Sequence, residues 1–250
     1  MALAQGCDIH TFMTKTILIT GAATRIGRVL ATGLADDGWG VVIHYNSSQR
    51  AAAELADTLG KAAIVQANLT DADSVDTLIY RASQAIGAPL DALINNASTY
   101  QPDRADDFSY EIYGNHMDVN LKAPLRLAQH FSRQVPDDKK ACIINMIDQR
   151  VLRPAPDFFT YGVSKSALYA ATKTMAQSFA PHIRVNAVGP GPTLKSIHQD
   201  EAQFNQECAS TLLGKGSPPD TILDAVRYLL SASAVTGQMI AVDGGQHLGV

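Results

Sequence analysis

A tyrosine and a lysine four residues apart, in Tyr161-Gly162-Val163-Ser164-Lys165, are the pair in this chain best suited to move a proton. On a helix they share one face. An ammonium beside a phenol favours the phenolate and lowers the tyrosine's pKa, which makes a proton donor usable near neutral pH. Asp148 stands thirteen residues earlier, at the end of the apolar run Ile143-Ile144-Asn145-Met146-Ile147. An ionised carboxylate only accepts hydrogen bonds, and it would repel an oxyanion formed from a simple ketone. If burial raises its pKa it becomes an acid instead. The plainer alternative for Asp148 is a carboxylate bonded to backbone at a strand end.

A second group lies near the amino end. Thr20-Gly21-Ala22-Ala23-Thr24-Arg25-Ile26-Gly27 follows an apolar strand and opens a helical pattern, the context a dinucleotide turn requires. Gly21 and Gly27 permit a tight turn and close backbone approach. The helix start, with Arg25 and Ile26, offers free N–H groups to a pyrophosphate. NAD enzymes usually place an acid about 20 residues further on. Here the segment is His44-Tyr45-Asn46-Ser47-Ser48-Gln49-Arg50, without an acid. An acid would repel a 2′-phosphate, whereas hydroxyls, an amide and nearby cations hold it. The cofactor expected is therefore NADP(H). Solvated surface is the alternative for His44 and Arg50. Asn68, followed by Leu69, comes after the third strand, where its oxygen could accept from an adenine amine or simply close a turn.

Elements must place these groups together. Apolar runs at Thr16–Thr20, Gly40–Tyr45, Ala62–Ala67, Ala92–Asn95, Ala141–Ile147, Arg184–Ala187 and Met239–Val242 alternate with helical patterns near 25–37, 48–59, 72–86, 107–134, 159–180 and 219–232. Alternation of this kind predicts parallel strands with crossover helices. The fold class is α/β: a single-domain, Rossmann-like, doubly wound parallel sheet of about seven strands, its ligand beyond the carboxyl ends of the strands. Residues 1–13 read as an extension, and 14–250 as one nucleotide-binding domain. Gly189-Pro190-Gly191-Pro192 and Gly216-Ser217-Pro218-Pro219 bracket a mobile loop-helix insert, 189–219, over the substrate.

With 250 residues, 46% of them hydrophobic, the chain can build one large core. A net charge of −4 does not steer it to nucleic acid or to an anionic membrane. Three separated cysteines, Cys7, Cys142 and Cys208, form no metal spacing and suit a reducing cytosol. Cys142 reads as a buried small hydrophobe. A cytoplasmic protein with no metal is the expectation.

The motifs resemble the short-chain dehydrogenase/reductase family across residues 15–248. Asn95-Asn96-Ala97-Ser98, Asp118-Val119-Asn120, the Tyr161/Lys165 pair, Arg184-Val185-Asn186-Ala187-Val188-Gly189-Pro190-Gly191 and Val242-Asp243-Gly244-Gly245 carry the resemblance in the family's order. It implies that Tyr161 donates the proton, that Lys165 holds the nicotinamide ribose, and that Asn120 anchors a water. Asn96, Ala97, Ser98, Pro190 and Gly191 join the cofactor site. Family members are commonly tetramers, so a homotetramer is implied. Three departures stand out: Arg25 and Ser98 where glycine is usual, and Asp148 where serine is usual. All three are similar to the pteridine reductase branch, including the dihydromonapterin reductases. That resemblance implies a pterin-like substrate bound by Arg25, Ser98, Tyr100, Asp148 and Tyr161, with Tyr100 stacked on the ring. The branch also carries an arginine near the position of Ser47, which this chain lacks. Arg150 and Arg153 read as solvated loop residues. Two other functions compete: a carbonyl reductase of the same fold, for a 3-oxoacyl thioester or other ketone, and a non-catalytic NADP-binding regulator.

Overall fold

The computed structural model describes residues 15–249; the sequence's expected extension at 1–13 lies outside them. Strands β1 (Thr16–Ile19), β2 (Gly40–Tyr45), β3 (Ala62–Gln66), β4 (Ala92–Asn95), β5 (Ala141–Met146), β6 (Ile183–Pro190) and β7 (Met239–Val242) form one sheet. All neighbours are parallel, in the order β3-β2-β1-β4-β5-β6-β7. The order reverses between β1 and β4, so the carboxyl ends of those strands open a crevice there.

The inner strands are apolar on both faces because helices cover both. Leu18, Val42 and Leu93 face a core shared with helices α3 (Ala72–Ile86), α5 (Ala123–Gln134) and α6 (Phe159–Phe179). Ile17, Ile19, Val41 and Ile43 face the other core, shared with α1 (Arg25–Asp36), α2 (Gln49–Thr58) and α8 (Pro219–Ser231). Helices α1 and α8 approach closely at Gly33, where a Cβ would come within 2.2 Å of a Leu223 methyl. Cys142 is buried in the second core.

Two elements depart from the sequence reading. Strand β6 is longer than Arg184–Ala187 and carries its pairing with β7 through Pro190. The single helix expected over 107–134 is divided. It begins as α4 (Tyr110–Met117), capped by Ser109, widens into a π turn over Asp118–Lys122, and resumes as α5. Pro124 has no N–H, so the carbonyl of Asn120 cannot receive its usual bond four residues on, and the helix opens there. Within 189–219 lies α7 (Glu201–Ala209), started by a capping box of Asp200 and Gln203. Among the described residues no helix is long and apolar enough to cross a membrane.

Candidate active site

Chain order and sheet polarity put the chemistry on one rim. Asp148 follows β5, Asn96 and Ser98 follow β4, and Tyr161 and Lys165 lie one turn apart on α6, whose start overhangs that rim. They meet in a cavity of about 180 Å³ that also takes in Arg25, Ile26, Pro190 and Leu194. The nucleotide turn and the Tyr161/Lys165 pair therefore share one space. A larger cavity, about 380 Å³, lies on the opposite rim around Lys15, Trp39 and Arg227 and holds none of these groups.

The Tyr161 hydroxyl donates to Asp148 Oδ2 at 2.8 Å, and Asp148 Oδ1 accepts the backbone N–H of Arg150 at 2.8 Å. Lys165 Nζ donates to the carbonyl of Met146 at 2.8 Å and sits 5.7 Å from the Tyr161 ring centre. Burial pulls the Lys165 pKa down to about 8, against the pull of Asp148. The expectation that Lys165 lowers the phenol's pKa is corrected here. Tyr161 is held well above its ordinary value, first by burial and then by the Asp148 carboxylate that accepts its proton. An acceptor with negative charge stabilises the neutral phenol more than a cation 5.7 Å from the ring opposes it. Burial likewise raises the Asp148 carboxyl, partly offset by its hydrogen bonds and by Arg150 and Lys165.

Asn120 spends its whole side chain on protein. Its Oδ1 accepts from the Thr99 N–H at 2.8 Å and the Ser98 hydroxyl at 3.1 Å. Its Nδ2 donates to the Thr99 carbonyl at 3.0 Å and to Ser164 Oγ at 3.2 Å.

A model described as Enoyl-(Acyl carrier protein) reductase matches residues 21–247. The chain belongs to the short-chain dehydrogenase/reductase family. Its fold follows that of FolM alternative dihydrofolate reductase 1 from Brucella canis, complexed with NADP: TM-score 0.91, 40% identity, 94% of this chain and 95% of that one. The dihydromonapterin reductase of Shigella sonnei is 30% identical over 93% of this chain and 96% of its own. The 3-oxoacyl-[acyl-carrier-protein] reductase FabG of Staphylococcus aureus is also 30% identical, over 94% and 99%.

In this short-chain oxidoreductase the nucleotide turn is held from below. His44, 1% exposed, accepts the Gly21 N–H on Nδ1 at 3.0 Å. That fixes the proton on Nε2, which donates to the Ala67 carbonyl at 3.1 Å. Burial lowers the His44 pKa from 6.5 to about 4, so the ring is neutral. The structure thus places His44 under the turn, with both nitrogens used, and not at a surface facing phosphate; central position in the sheet overrides the polar residue type. Tyr45 is buried too, and Leu69 packs into the core. Asn46, Ser47 and Ser48 are exposed beside them. Asn68 Oδ1 accepts from Thr70, closing its own turn. Asn96 ties β4 to the turn by donating to the carbonyls of Thr20 and Gly21. Gly21 has φ +63°, and a Cβ there would meet Ala97 at 3.0 Å. Gly191 leaves the space that Asp243 fills. Arg25, left-handed at φ 52°, donates to the carbonyls of Leu194 and Lys195 and so joins the turn to the 189–219 segment.

Tyr100 stacks flat on Phe158, with centres 3.9 Å apart, and meets Tyr161 edge-on at 4.8 Å. Its carbonyl pairs with His198 Nε2 from the insert at 3.2 Å. Arg150 is not free solvent-facing charge: it pairs with Asp157 at 2.8 Å and lies 5.4 Å over the Phe158 ring. Arg153 donates to the Gln246 carbonyl. Sequence reasoning missed Phe158 and His198. Neither carries a periodic or motif signal, and both matter only through contacts distant in the chain.

Proposed function

We propose that this chain uses NADPH to reduce a pterin-type ring of the dihydropterin, dihydromonapterin or dihydrofolate class. The observation that carries this reading is the 2.8 Å bond from Tyr161 to Asp148, in a cavity beside which Tyr100 meets the Tyr161 ring edge-on. A ketone reductase gains little from a carboxylate beside its proton donor, because the charge opposes the developing oxyanion. A ring with amino and N–H donors satisfies the same carboxylate.

The residues present fit the cofactor. Thr24 makes no side-chain cap, so the first N–H groups of α1 remain for a pyrophosphate. Arg25 in the turn and the exposed Asn46, Ser47 and Ser48 after β2 present no carboxylate to repel a 2′-phosphate. Gly21, Ile26, Gly27, Asn96, Ala97, Ser98, Lys165, Pro190 and Gly191 complete the set. When bound there, NADPH would supply the hydride. Tyr161 gives its phenolic proton to a ring nitrogen of the substrate. Asp148, ionised, accepts from the ring's N–H donors; after the transfer, a proton taken up from solvent restores the Tyr161 phenol and its bond to Asp148. Lys165 balances the negative charge left on the phenol oxygen. Tyr100, backed on one face by Phe158, would meet the planar substrate with the aromatic surface that Phe158 leaves uncovered. The reading includes a cytoplasmic homotetramer assembled through α5, α6 and the β7 region.

A carbonyl reductase is the second reading, favoured by the 30% identity to FabG. NADPH oxidation with dihydropterins, beside 3-oxoacyl thioester and simple ketone controls, separates the two. Turnover of pterins that disappears in Tyr161→Phe supports the first. Turnover of ketones alone overturns it.

A further inference from the structure

The amino end of α6, one residue before the proton donor, is capped from a distant loop. Phe158 precedes the helix in a left-handed conformation, φ 52°, and makes no side-chain cap. The Thr160 N–H is taken instead by the Asp103 carboxylate at 3.1 Å, and the Phe159 N–H by the Asp103 carbonyl at 3.4 Å. Asp103 lies 57 residues earlier and is 8% exposed. A carboxylate at a helix start complements the unpaired N–H groups and the helix dipole.

A chain of hydrogen bonds with fixed directions runs on from this cap. The backbone N–H of Gln101 can only donate, so His116 Nε2 accepts it at 3.1 Å. The ring proton is therefore on Nδ1, which donates to Thr160 Oγ1 at 2.7 Å. The Thr160 hydroxyl is left to donate to Asp103 Oδ2. His116 is fully buried and Thr160 nearly so. The chain starts next to Tyr100 and ends next to Tyr161, whose rings meet edge-on. A buried network with every proton assigned is rigid, because each break strands a polar group.

We propose that Asp103, Thr160 and His116 are positioning residues that lock the Tyr100 loop to the catalytic helix and so fix where Tyr100 stands against Tyr161, beside the cavity that takes the substrate ring. The planar shape of the substrate rests on the pterin reading; the lock between loop and helix does not. Thr160→Val keeps the shape but removes the hydroxyl; Thr160→Ser keeps the hydroxyl. Amide exchange across residues 99–107 is measured in both variants, with NADPH affinity and with kcat and KM on whichever substrate, dihydropterin or ketone, the wild type reduces. In Thr160→Val we expect exchange in this loop to rise about tenfold and KM for the reducible substrate to rise about tenfold, with NADPH affinity within about twofold. Thr160→Ser restores both. Unchanged loop exchange in Thr160→Val overturns the proposal. So does equal behaviour of the two variants, or faster exchange throughout the sheet. A wild type that reduces only ketones refutes the pterin reading, while the exchange comparison still decides this one.

Discussion

Asp148→Asn separates the charge of this carboxylate from its shape. In the wild type the Tyr161 phenol donates to Asp148 at 2.8 Å, and the same charge holds up the pKa of Lys165, which burial has drawn down to about 8. Making the acceptor neutral weakens a charge-assisted bond to an ordinary one, a difference of about 1.4 kcal/mol. That is about one pH unit. Both proton carriers shift the same way: Tyr161 loses the anion that stabilised its protonated form, and Lys165 loses the anion that stabilised its ammonium. The alkaline limb of kcat/KM, which reports the free enzyme, is expected near pH 8 in the wild type and about one unit lower in the variant. The acid limb that the raised Asp148 carboxyl contributes should vanish. The assay is NADPH oxidation from about pH 5 to about pH 10 at limiting substrate. An alkaline limb that does not move would refute the argument that Asp148 governs Tyr161. An acid limb that persists would assign it to another group.

Three further outcomes are expected. Tyr100→Ala should raise KM for the ring substrate about fivefold while leaving NADPH affinity unchanged, since the stacking face is lost and the nucleotide turn is not touched; competition binding measures this. His44 has a folded pKa of about 4 against 6.5 unfolded, so its contribution is complete above pH 6.5 and is lost as pH falls towards 4, about 3 kcal/mol in all. His44→Leu should abolish that slope in urea unfolding and cost about 2 kcal/mol at neutral pH, because the Gly21 N–H and Ala67 carbonyl lose their partner. Arg25→Gly should leave the melting temperature equal or higher, by relief of about 1 kcal/mol of left-handed strain, while amide exchange over 193–199 accelerates. A drop of several degrees would contradict that account.

The strands were legible because each inner strand is buried on both faces and reads as an unbroken apolar run, as in Thr16–Ile19 and Gly40–Tyr45. Tyr161, Lys165 and Asp148 could be singled out by type and spacing alone, and the structure places all three around one cavity. The break at Asn120 was present in the sequence as Pro124, but amphipathic spacing on either side masked it. His44 misled because residue type suggests a surface role, and only the pairing of β2 between β1 and β3 reveals the burial. The Asp103 cap had no signal at all: it joins groups 57 residues apart that share neither period nor motif.

The parallel sheet gives the two ends of the described chain different addresses. Lys15 accepts from Gly40 at the amino rim of the sheet, beside Trp39 and away from the chemistry. Residues 243–249 turn back at the carboxyl rim, where the Gln246 carbonyl accepts from Arg153, and Gly245 packs so tightly on Leu212 that a Cβ would come within 3.0 Å. A dye or a surface tether attached at position 15 itself lies at the floor of the molecule, on the rim away from the cavity that holds Tyr161 and Asp148. The same cargo attached at His247 lies on the rim that carries the chemistry, so preparations immobilised through the two positions should differ in how readily they admit substrate.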